Sequence, residues 1–403
     1  MFKKKSIYLI IIFLSVFIVK SLISLYLKTP FIFSDETCVI QKAIYFASNF
    51  EIKSCHEILK VSAGDPRPLY SILISPIYLF ISGTKAYHAV LIFNSLIISS
   101  IVFPLYSIFK KFIQNKALIY LSIIAILFLP QIIIFEKTLM TETLFTTICI
   151  WFLYFYLKSF NKKSAHNKII AIILSILAAF TRPFGFILPI ALTINEIIRC
   201  KNKKLIALVY IPIAFILSFG TIKFFIPNLA QELNQKLYAL EDPTIIYTII
   251  IAIKNQLNSF NVTTFFTPII AVIVLFTQNK KSEIQNIKYF IISFLVLNFI
   301  ISAQHTELYL ENLSIITRYI NFSIILIFIF AFIFLGQKEK TKINLIGKIS
   351  TIILYISLIF ISYKSVKLSL NLDIAYYFDT STSTIQTNLV SAKNFIILPL
   401  LII

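Results

Sequence analysis

Glycine is scarce in this chain, with 6 in 403 residues. No GxGxxG and no Walker loop occurs among them, which argues against a nucleotide cradle. Histidine is almost as rare, with 4 copies and no HExxH pattern, which argues against a zinc hydrolase. The 4 cysteines show no metal-type spacing. Cys38 and Cys55 fall in one connecting segment, where they either pair or stand as isolated thiols. Acidic residues are outnumbered, 17 against 37 Lys and Arg.

Apolar residues, by contrast, are abundant. They make up 58% of the chain and charged residues only 13%. They recur in runs of about 17–25 residues, each long enough to cross hydrocarbon. The composition implies an all-α polytopic membrane protein of about 11 transmembrane helices. Spans are expected near 7–27, 86–108, 117–134, 138–157, 169–181, 184–198, 205–225, 263–277, 287–303, 319–335 and 343–362. The first is too long for a signal peptide, and no small-residue cleavage site follows it. A transmembrane domain over 1–362 is therefore expected, followed by a short external segment, 363–403, ending in the apolar "NFIILPLLII". That end reads either as a membrane-associated tail or as an incomplete further span.

The excess of positive charge invites a nucleic-acid reading, but its distribution argues otherwise. The lysines cluster between apolar runs, as in Lys110-Lys111, Lys162-Lys163, Lys203-Lys204 and Lys280-Lys281. That placement orients a membrane protein with the clusters on the cytoplasmic side. Leu69–Ser82 is too short to span and contains Pro76, so it is expected to lie as an interfacial helix. With this choice the N-terminus and the lysine-rich connections share one side, where Glu283 and Glu339 are the only acids. A large first external loop then runs from about Lys28 to Lys85.

The outer side collects Asp35, Glu36, Arg67, Lys137, Glu142, Arg182, His305, Glu307 and Arg318. Ionisable groups at span ends snorkel, pair with one another or line a polar cavity. Gathered on one face from separate segments, they favour a site.

The order of motifs resembles the GT-C superfamily of lipid-phosphate-sugar-dependent glycosyltransferases. The protein mannosyltransferase and aminoarabinose transferase branch (family 39-like) is the nearest. The resemblance rests on a first span followed by Ser34-Asp35-Glu36, on "GDPRPLYSILISPIYLF" at 64–80, and on "FEKTLMTETLF" at 135–145. It continues through "TRPFGFILP" at 181–189 and "TRYINFSIIL" at 317–326. Arg67-Pro68 stands where that family more often has Pro-Pro, and Asn321-Phe322 where it has Leu-Pro.

The resemblance implies inverting transfer of a sugar from a polyprenyl-phosphate donor to an acceptor hydroxyl on a lipid, glycan or protein, in cell-envelope glycosylation. Asp35 is then the general base and Glu36 a sugar or acceptor ligand. A carboxylate suits the base role because partial desolvation raises its pKa. "SDET" also reads as a helix start capped by Ser34 or Asp35, and both roles can coexist. Arg182 and Arg318 are the donor-phosphate candidates, with Arg67 and Lys137 behind them, since a guanidinium fork fits phosphate oxygens. Either leading arginine can instead pair with Glu142 or Glu307. Glu142, His305, Tyr319 and Tyr70 complete the sugar and acceptor set.

A divalent cation held by Asp35, Glu36 and Glu142 is conceivable, although no DxD spacing occurs. The expected partners are donor, acceptor and membrane lipids, and not nucleic acid. A secondary transporter would show inverted repeats and mid-span charges. A polysaccharide polymerase or ligase of the O-antigen type would place its largest external loop late, and Pro227–Asn261 keeps that alternative open.

Overall fold

The computed structural model describes residues 3–26, 34–59, 67–160, 165–199, 289–298, 322–323 and 325–333. Regular structure among the described residues is helical, without strands. Eleven helices follow in order: α1 Lys3–Leu25, α2 Ser34–Asn49, α3 Cys55–Leu59, α4 Pro68–Phe80, α5 Gly83–Ser99, α6 Val102–Phe112, α7 Lys116–Leu127, α8 Pro130–Glu136, α9 Glu142–Lys158, α10 Ala165–Thr181 and α11 Ile187–Arg199. A 3-10 turn, Pro183–Phe186, separates the last two. Tyr289–Asn298 adds α12. Residues 325–333, within the expected span 319–335, are helical as well, while the expected spans 205–225, 263–277 and 343–362, and the 363–403 segment, lie outside the described residues.

Two helical runs are long and apolar enough to cross a membrane, Ile7–Leu25 and Gly83–Phe112; several other helices are apolar and shorter. Exposed Ile7, Ile11, Leu14, Ile18, Leu22 and Leu25 recur at helical spacing along α1 and form one apolar stripe. The second run passes from α5 to α6 through a turn at Ser100 and Ile101, both with helical dihedrals.

The run expected as one span over 117–134 is two helices. Pro130 explains the break, because its ring cannot donate a backbone hydrogen bond and suits a helix's first turn. Asn115 starts α7 by accepting from the Ala117 and Leu118 amides at 2.9 and 3.4 Å. In α4, Pro76 deprives the Ile72 carbonyl of its usual helical donor. The Ser75 hydroxyl fills the gap, donating to Ile72 O at 2.8 Å.

Helices α9 and α10 pack together, as do α2 and α4, while α1 lies on α5. The α9–α10 pair is antiparallel, with Glu142 and Arg182 meeting at one end. Lys158 and Ala165 stand at the other. The core runs through these elements on Leu91, Phe109, Ile123, Phe152 and Tyr156, and α12 joins it through Phe290 and Phe294. Gly185 lets the 3-10 turn press against α10, since a Cβ there would overlap the Ala178 carbonyl.

Candidate functional site

Helix α2 begins at Ser34, so Asp35 and Glu36 occupy its first turn. Glu36 is fully buried. Its Oε1 accepts from the Leu139 amide at 2.6 Å and from the Tyr87 hydroxyl at 3.3 Å. The start of α2 is thereby tied to the α8–α9 corner and to α5. On its other side, α2 is tied to α3 by a disulfide between Cys38 and Cys55, with Cα atoms 5.6 Å apart. Of the two states open to these cysteines in the sequence, the structure has the paired one.

A second group stands at the ends of α9, α10 and α4. Arg182 Nη1 meets Glu142 Oε1 at 3.0 Å, and both side chains are buried. The Arg182 guanidinium also lies 6.0 Å from the Phe145 ring centre. Arg67, at the entry to α4, stands 5.8 Å from the ring of Phe186 in the 3-10 turn. Tyr70, in the first turn of α4, is fully buried, and its hydroxyl donates to Asn94 Oδ1 at 2.8 Å. Burial pushes its phenol up; the Asn94 bond opposes this, while the charges of Glu36 and Glu142 add to it.

A third group is a buried ionic hub. Glu136 pairs with Lys20 and, at 2.9 Å, with Lys137. Lys137 Nζ also donates to the Lys20 carbonyl and the Ser24 hydroxyl, each at 2.7 Å. Ser95 Oγ donates to Glu136 Oε1 at 2.7 Å. The structure therefore engages Lys137 with acceptors from α1 and α8. The sequence reading passed over Lys20, Ser24, Asn94, Ser95 and Glu136. One signal was available, since Lys20 is the sole charge between Ser6 and Leu27, and a cation inside an apolar run requires a partner.

His305, Glu307, Arg318 and Tyr319 lie outside the described residues, as does the Asp35 side chain. Among the described residues no three His, Cys, Asp or Glu side chains stand close enough to hold a metal ion. Comparison with protein-family models gives no match for this chain, and comparison with curated proteins gives none.

Proposed function

We propose that this chain is a multi-pass membrane glycosyltransferase resembling the GT-C superfamily, moving a sugar from a polyprenyl-phosphate donor to an acceptor hydroxyl on the extracytoplasmic face. The observation carrying this reading is that Glu36, Tyr70, Glu142, Arg182 and Arg67, from separate segments, lie at linked helix ends. The lysines mark the opposite ends, with Lys110 and Lys111 closing α6, Lys116 opening α7 and Lys158 closing α9. The positive-inside bias puts those lysines in the cytoplasm and the site outside. The Cys38–Cys55 disulfide fits an oxidising, extracytoplasmic loop.

The chemistry needs a base, a cationic seat and a held sugar. Asp35 takes the proton as the acceptor oxygen forms its bond to the anomeric carbon. The bond from that carbon to the phosphate oxygen breaks on the opposite face, and the electron pair departs with the lipid phosphate. Arg182, with its fork oriented by Glu142, and Arg67 stabilise that leaving charge. Arg318 joins this role by resemblance, as Glu142, His305, Tyr319 and Tyr70 join sugar and acceptor binding.

The test offers purified protein a panel of labelled polyprenyl-phosphate sugars together with membrane extract. The wild type transfers label, and Asp35→Asn is slower by about a hundredfold or more. Equal transfer by the two proteins removes Asp35 as base. No transfer from any donor by the wild type removes the enzyme reading.

A further inference from the structure

We propose that Asn94, in the middle of α5, is a positioning residue for the proposed site and acts through the Leu139 amide. Its effect on turnover rests on the function proposed above; the hydrogen-bond relay does not.

The stretch between the end of α8 at Glu136 and the start of α9 at Glu142 is non-helical, yet Lys137, Thr138 and Leu139 are fully buried. The Lys137 and Thr138 amides still donate back to the Ile133 and Phe135 carbonyls of α8, at 3.3 and 3.4 Å. The carbonyls of Glu136 and Thr138 and the Leu139 amide also need partners, because unpaired peptide groups are costly in apolar surroundings. Asn94 supplies part of what they need. Its Nδ2 donates to the carbonyls of Glu136 at 3.4 Å and Thr138 at 3.1 Å, while its Oδ1 accepts from Tyr70 at 2.8 Å. An uncharged amide presents two donors and an acceptor from one planar group, which neither aspartate nor leucine does.

The consequence falls on the next peptide. With the carbonyls on either side of Lys137 and Thr138 anchored, the Leu139 N–H is held toward Glu36, which it meets at 2.6 Å. Glu36 is the chain neighbour of Asp35 in the first turn of α2. Asn94 therefore registers two elements on one buried corner: α4 through Tyr70, and α2 through Glu36. Its loss frees the corner and lets the Asp35-bearing turn drift. A drift of about 1 Å can cost roughly a hundredfold in rate.

The first measurement is hydrogen exchange of the full-length protein in lipid nanodiscs. In the wild type the Leu139 amide exchanges slowly although it lies outside any helix. In Asn94→Ala its exchange rises about tenfold or more, while amides of α6 and α7 keep wild-type rates. Unchanged exchange at Leu139 in folded Asn94→Ala protein overturns the relay. Should that variant not fold, Asn94→Ser, which keeps one donor, is read by the same criterion.

The second measurement is a double-mutant cycle on sugar transfer. Asn94→Ala lowers kcat by about tenfold and leaves KM within about twofold. Combined with Glu36→Ala it loses little beyond the slower single variant, because both release the same amide. Losses that multiply overturn the proposal, since general destabilisation would act in that way. A wild type that transfers no sugar removes the proposed function alone, and the exchange measurement still decides the relay.

Discussion

Glu142 and Arg182 meet at 3.0 Å where α9 begins and α10 ends, with both side chains buried. Two charges withdrawn from water are tolerable only as a pair, and losing one partner strands the other. Arg182→Ala and Glu142→Ala are each expected to cost about 3–5 kcal/mol, and the double variant less than their sum. Thermal unfolding in a fixed detergent measures all three. Strict additivity would show that the two side chains do not depend on each other.

The ionic hub predicts an order of severity. Lys20→Met leaves Glu136 with Lys137, so charge remains compensated and the loss stays near about 1–2 kcal/mol. Glu136→Gln leaves two buried lysines facing each other, and is expected to cost about 3–5 kcal/mol. The same unfolding assay ranks them. A protein hurt more by Lys20→Met than by Glu136→Gln would refute the hub's charge arrangement.

The helical character of the chain was legible because apolar run length is a local signal. Ser34 as a helix start, Leu69–Ser82 as a short helix and Glu142 as a partner for Arg182 were all readable from neighbouring residues. The hub was not. Lys20 declared its need for a counter-charge, but its partner stands 116 positions away, and sequence pattern carries no distance information at that separation. Asn94 was hidden differently, since one amide in an apolar helix looks the same whether it faces lipid, core or a bent backbone. The α7–α8 break was missed because the long apolar runs around Pro130 and Gln131 masked the effect of the proline.

Gly185 gives a steric prediction. Its amide donates to the Arg182 carbonyl at 2.9 Å, closing the turn that leads the chain from Arg182 at the end of α10 toward α11. A methyl group at 185 would overlap the Ala178 carbonyl, which is backbone and has no rotamer by which to retreat. Gly185→Ala is therefore expected to cost about 1–3 kcal/mol and to displace Arg182. Donor titration, followed as protection against thermal unfolding, should show weaker binding than the wild type. Unaltered stability would mean that the turn does not pack as described.

The disulfide joins α2 to α3 across a sequence separation of 17 and sits close behind the Glu36 anchor. Closing a loop of that size removes unfolded-state freedom worth about 3 kcal/mol. Paired Cys38→Ser and Cys55→Ser substitutions should lower stability by about that amount. Because α2 would then lose the covalent tie beside its Glu36 anchor, hydrogen exchange in its first turn should rise more than exchange in α9. A thiol-specific label supplies the direct check: unreduced protein should leave Cys38 and Cys55 unmodified, and both should react after reduction. Labelling of either cysteine before reduction would contradict the bond, and with it a covalent tie that holds Asp35's helix in place.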